Sequence, residues 1–169
     1  TIIQIYYSLF FSQLFYAILV WSLTTTKNLD IISILQRKSI RIINSVTHDE
    51  HTNHLFYENN IIKFIDIIKM NQILFALEFK MEILPKDLRN IFIHAADIHS
   101  HNTRASNATL FLPVVSTTNF GTFSLSYQVP YVWNEFSKVY TDICQHSCKS
   151  LKMFMKKLYL VKYFEESKA

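Results

Sequence analysis

Between Ile2 and Leu23 almost every position is apolar, and the first charged side chain is Lys27. A run of that length is a candidate to cross a bilayer. Gln4, Ser8 and Ser12 nevertheless recur at i, i+4 and i+8, with Gln13 and Tyr16 alongside. On a helix they form a polar stripe, so the pattern predicts a core helix with one wet edge ahead of a membrane span. Asn28 can cap a second helix running to about Ile43. Its apolar stripe is Leu29, Ile32, Leu35, Ile40 and Ile43, with Arg37, Lys38 and Arg41 on the other side. Residues 47–60 are polar and His-rich and read as a connector with about one turn of structure. A third helix is expected from Ile61 to Leu84, where Pro85 disfavours helix at the residue before it. A short amphipathic stretch, Lys86 to Ile93, follows.

The pattern then changes. Residues 94–107 form a polar loop, the one candidate boundary, which divides the chain into 1–93 and 94–169. Leu110, Leu112 and Val114 alternate with other residues, as do Phe123, Leu125, Tyr127 and Val129. That period predicts two strands, a β-hairpin near 108–129 whose turn ends on Gly121. A helix carrying Val132, Trp133, Phe136 and Tyr140 follows Pro130. The last helix, Ser150 to Tyr163, has the stripe Leu151, Phe154, Met155, Leu158 and Val161, with Lys152, Lys156 and Lys157 off it. The expected fold is mainly α (α+β): an N-terminal helical bundle, then a small β-hairpin plus helices.

Composition narrows the function classes. The 169 residues include one Gly, three Pro and two Cys. One Gly cannot build a G-x-G-x-x-G dinucleotide turn or the two-glycine loop of a Walker A site. Two Cys exclude a disulfide scaffold. The excess of 17 Lys+Arg over 13 Asp+Glu gives +4, which is compatible with a polyanion partner without demanding one. The start at Thr1, without a charged leader, reads as a fragment or a trimmed chain.

Few side chains group as chemistry requires. His48, His51 and His54 are three apart, but their segment lacks apolar periodicity and a confirming Cys or carboxylate, so they read as loop histidines. Asp97, His99 and His101 with Cys144 and Cys148 could in principle make a tetrahedral zinc site. Neither spacing is a standard zinc pairing, and ordinary thiols on a buried helix face are the preferred reading. No nucleophile elbow or useful carboxylate pair is present. The sequence therefore offers no catalytic set, metal site or cofactor motif. What remains is two basic helical faces, Arg37/Lys38/Arg41 and Lys152/Lys156/Lys157. Each is either a solvated surface or a set of phosphate contacts, which position a duplex without reading its sequence.

Several segments together resemble the C-terminal part of reverse transcriptases from non-LTR retrotransposons of the jockey-like and CR1-like kind. YYSLFFSQLFYAILVW (6–21) followed by LQRKSIRIINS (35–45) is similar to that family's helical stretch just after the polymerase palm. His51-Thr52 with Leu55-Phe56 resembles HTxPLF, and residues 98–104 (IHSHNTR) resemble IHxxxTR. Gly121, Ser124, Tyr127, Pro130 and Trp133-Asn134 resemble GxxSxxYxGPxxWN, and residues 150–154 (SLKMF) resemble the terminal SLxxFKxxL. Order and spacing agree over roughly residues 2–160. The departures are Ser116-Thr117 for the usual Arg-Thr, Val129 for Gly, and Phe136-Ser137 for Leu-Pro.

The resemblance implies a thumb-like helical region over 1–93 that recasts the apolar opening as a thumb helix. It implies template–primer contact from Arg37, Lys38 and Arg41, with His99, Thr103, Arg104, Lys152 and Lys156 as further candidates. The Asp-Asp metal motif of the palm would lie upstream of Thr1, and no Asp-Asp occurs in this sequence. The implied chain is thus a non-catalytic fragment of an RNA-directed DNA polymerase, without cofactor, whose partners are an RNA/DNA duplex and the parent palm and fingers. An intracellular place, nucleus or cytoplasm, goes with it. The rival expectations are a small membrane-associated protein anchored by residues 2–23, or a translated relic without function.

Overall fold

The charge-free opening winds into helix but does not bury itself. Helix α1 (Ile2–Ile5), a π-helical segment (Tyr6–Phe11) and α2 (Ser12–Phe15) follow one another, and both joints keep right-handed helical dihedrals. The backbone turns extended at Tyr16 and left-handed at Ala17 (φ 50°) before α3 (Ile18–Trp21). Trp21 Nε1 donates to the Tyr16 carbonyl at 2.8 Å and clamps the break. Tyr6 and Ile18 are buried, whereas Ile2, Ile5, Leu9, Tyr16 and Val20 are exposed. The expected core helix is therefore corrected to a broken helix with much apolar surface outside. The expected wet edge is also muted: Ser8 Oγ donates to the Ile5 carbonyl and Ser12 Oγ to the Ser8 carbonyl. Among the described residues, no helix is long and apolar enough to cross a membrane.

The computed structural model describes residues 1–98, 109–117, 121–140 and 146–168, and these are mainly helical. The longer elements are α4 (Thr26–Asn44), α5 (Asn53–Glu58) and α6 (Phe64–Lys80). Beyond a 3-10 turn at Lys86–Leu88 come α7 (Ala95–Ile98), α8 (Leu125–Val139) and α9 (Cys148–Lys168). Two compact units result: residues 1–68 with 154–169, and residues 69–153.

In the first unit Ile40, Phe56, Ile61, Phe64, Ile67, Met155 and Tyr163 are buried. Helix α4 starts at Thr26 rather than at an Asn28 cap, and Asn28 Nδ2 instead donates to Thr24 Oγ1. Its inward stripe is centred on Gln36 and Ile40, while Leu35 is exposed. Helix α5 gives the expected connector real structure by burying Leu55 and Phe56.

In the second unit Ile73, Leu77, Phe79, Phe92, Leu110 and Trp133 are buried. The expected β-hairpin near 108–129 is not found among the described residues, and 118–120 of its expected turn lie outside them. Among the described residues the β-type pairing is an isolated antiparallel bridge, His94 with Leu110. Two physical reasons are visible. Leu125 and Val129 are four apart as well as two-periodic, and with Trp133 they continue one helical stripe, so this stretch joins α8. Asn134 also does a strand's work for Leu110, accepting its N–H at Oδ1 (2.9 Å) and donating Nδ2 to its carbonyl (2.8 Å). Pro130 lies inside α8 rather than ahead of it. The last helix buries Leu151 and Met155 of the expected stripe, continues it at i+4 with Tyr159 and Tyr163, and leaves the expected Phe154 and Val161 exposed.

Glycine poverty is met at the helix ends by other residues. Ser45, Asn60 and Glu82 have φ of 54°, 55° and 57°. After each, the next N–H reaches back five residues: Val46 to Arg41, Ile61 to Phe56 and Ile83 to Glu78. These are Schellman ends made without glycine. The one glycine, Gly121, does not have positive φ. It is there for space, because a Cβ on it would lie 2.5 Å from Val115 Cβ.

Candidate nucleic-acid interface

The candidate site begins from the buried side of α4. Gln36 is 1% exposed and uses both ends of its amide. Nε2 donates to Tyr6 Oη (2.9 Å) and to the Ile62 carbonyl (3.0 Å), and Oε1 accepts the Phe64 N–H (2.6 Å). That last bond caps the start of α6, so one side chain ties together the opening helix, α4 and α6. The same end of α6 is held from α9. The Tyr163 hydroxyl accepts the Lys63 N–H (3.1 Å) and donates to Asp66 Oδ2 (2.5 Å). Lys63 Nζ lies 4.2 Å from the Tyr163 ring centre and 3.1 Å from Glu166 Oε2. Burial, and then the Asp66 carboxylate, push the Tyr163 hydroxyl far above its ordinary range. Burial pushes Tyr6 up to about 12 against the opposing pull of Gln36. The hydrogen bond from Lys63 holds Glu166 below the usual carboxylate range.

With Gln36 fixed inward, Arg37 and Lys38 follow on the outer side of α4 and are exposed. Arg41 is half-buried, and its Nε donates to the Glu50 carbonyl at 2.9 Å. Its charge also lies in the last turn of α4, where the helix dipole favours a cation. Among the described residues, Arg37 and Lys38 enter no ion pair. The nearby carboxylates face imidazoles instead: Asp49 lies 3.7 Å from His48, and Glu50 lies 3.8 Å from His54. Lys38, Arg41, Ile42, Ser45, Val46 and His48 line an open groove of about 350 Å³. Its lining sets the cations Lys38 and Arg41 beside the apolar Ile42 and Val46, a surface able to hold a phosphate or a carboxylate.

The other candidates are placed differently. Lys152 is exposed on α9 within the second unit, and Lys156 is half-buried on the same helix within the first. His99, Thr103 and Arg104 lie outside the described residues, as do His101 and Cys144. Among the described residues, no group of three or more His, Cys, Asp or Glu is placed to hold a metal ion. Burial pushes the Cys148 thiol up, and the charge of Glu78 adds to the effect. Trp133 is fully buried, so it presents no face to a base.

Sequence reasoning missed Gln36, Tyr6, Asp66 and Tyr163. A signal existed for Gln36, which stands four residues from both Ile32 and Ile40 on the apolar stripe. A polar residue there must find buried partners. No protein-family model matches the chain, and neither does any curated protein or solved structure.

Proposed function

We propose that the chain is the thumb-like C-terminal region of a non-LTR retrotransposon reverse transcriptase. It is non-catalytic by itself and holds a template–primer duplex through phosphate contacts. The observation that carries this reading is the outer face of α4. Arg37, Lys38 and Arg41 stand together there without a paired carboxylate among the described residues, on a helix whose orientation Gln36 fixes. The ordered sequence resemblance supplies the family, and polymerisation belongs to the upstream palm. Such contacts hold a duplex without reading its bases.

The test is fluorescence anisotropy of a labelled RNA/DNA primer–template over about 50 to 200 mM salt. Binding should weaken steeply with salt. Arg37→Ala with Lys38→Ala should lower affinity for all sequences alike and reduce the log–log salt slope by about 2. Salt-independent binding, or an unchanged slope in the double variant, would reject the reading. An anchor at residues 2–23 is less favoured, because the helix breaks at Tyr16-Ala17.

A further inference from the structure

A second groove adjoins the basic one and is almost wholly apolar. Ile2, Ile5, Tyr6 and Leu9 of the opening helix face Ile42 and Ile43 of α4 across a cleft of about 180 Å³. Ile2, Ile5 and Leu9 lie at i, i+3 and i+7, which is one face of a helix. Leu9 and Ile42 are each 69% exposed, although both are large apolar side chains. Part of this wall is the π-helical segment, a backbone form that recurs at functional positions. Ile42 also lines the basic groove, so the apolar cleft runs directly into the cations Lys38 and Arg41.

We infer that this paired groove docks an amphipathic, acidic helix of a partner protein. Its apolar side chains would enter between Ile5, Leu9 and Ile42, and carboxylates at one end would meet Lys38 and Arg41. Charge complementarity selects the occupant. Among the described residues, neither Lys38 nor Arg41 enters an ion pair, so both cations are open to a partner's carboxylate. The concave form between two helices suits a helix laid in a groove, with apolar anchors at i, i+3, i+4 and i+7. This inference goes beyond the duplex reading and stands on side chains outside the basic groove, Ile5 and Leu9. The two ligands share only the cations and should therefore compete.

The probe is a fluorescein-labelled designed helix with leucines at i, i+3, i+4 and i+7 and glutamates at one end. Its control has lysines in place of the glutamates, and phosphatidylglycerol vesicles serve as the lipid arm. The acidic peptide should bind at least about tenfold tighter than the basic one. Leu9→Asp and Ile5→Asp should each weaken it by at least about tenfold while leaving primer–template affinity within about twofold. Circular dichroism should show both variants folded, as such exposed positions allow. Equal binding of the two peptides, indifference to Leu9→Asp, or binding to vesicles but not to peptide would overturn the inference. Loss of duplex binding alone would leave it standing and reject only the duplex reading.

Discussion

Gln36 and Phe64 are joined by a tertiary helix cap: the amide oxygen of one accepts the first-turn N–H of the other at 2.6 Å. A helix start leaves its first N–H groups without intrahelical partners, and here a side chain from another helix supplies one. Gln36→Ala would strand that N–H and the other groups Gln36 serves in a dry interior. We expect a loss of about 2–3 kcal/mol in urea unfolding. A loss under about 0.5 kcal/mol would show that water replaces the cap.

Tyr163 and Tyr6 make the fold sensitive to alkali. Both hydroxyls titrate above the ordinary tyrosine value in the folded chain. Their stabilising effect is complete below about pH 10, where both states hold the proton, and is lost as pH rises beyond it. Each can remove up to about 1.4 kcal/mol per pH unit there. Unfolding followed from pH 9 to 12 should show that decline, and Tyr163→Phe should make it shallower at the expense of lower stability at neutral pH. A slope unchanged by Tyr163→Phe would contradict the assignment.

Gly121 is expected to resist substitution on steric grounds alone. Gly121→Ala places a methyl 2.5 Å from Val115 Cβ and 2.8 Å from its Cγ1. Overpacking of this kind costs about 1–3 kcal/mol. Thermal melts of the single variant and of the Val115→Gly, Gly121→Ala pair check it. The pair should recover part of the loss attributable to the clash, whereas purely additive effects would refute the contact.

Glu82 closes α6 in the left-handed region, where a Cβ is unfavourable. Glu82→Gly should raise stability by about 0.5–1 kcal/mol, since strain relief outweighs the added freedom of the unfolded chain. Asn60→Gly should change little, because Asn tolerates that conformation. A destabilising Glu82→Gly, read by melting temperature, would point to a side-chain role for Glu82.

Some of this molecule was legible in the sequence. The basic side of α4 was, since charges declare surface positions whatever they pack against. Helix α6 was too, because its apolar positions are dense and Pro85 sets a limit beyond it. Gln36 was not, because its value depends on Tyr6, Ile62 and Phe64, which only folding brings near. The hairpin was misread for a sharper reason. Leu125 and Val129 fit a strand and a helix equally, and neither Trp133 packing nor the Asn134 clamp on Leu110 can be seen in a local period. In the opening segment, Gln4, Ser8 and Ser12 at four-residue spacing suggested a wetted edge, but both serine hydroxyls are spent on their own helix.

The clasp on α6 also has a consequence in time. Tyr163 stands 100 residues after Lys63 and 97 after Asp66. A chain made from its N-terminus therefore displays α4, α5 and the start of α6 long before the ring and hydroxyl that complete them exist. Until then the Lys63 amide and the Asp66 carboxylate must be served by water, and Phe56 lacks the Tyr163 ring against it. The unit that begins first finishes last, and any nascent chain halted before α9 carries it open.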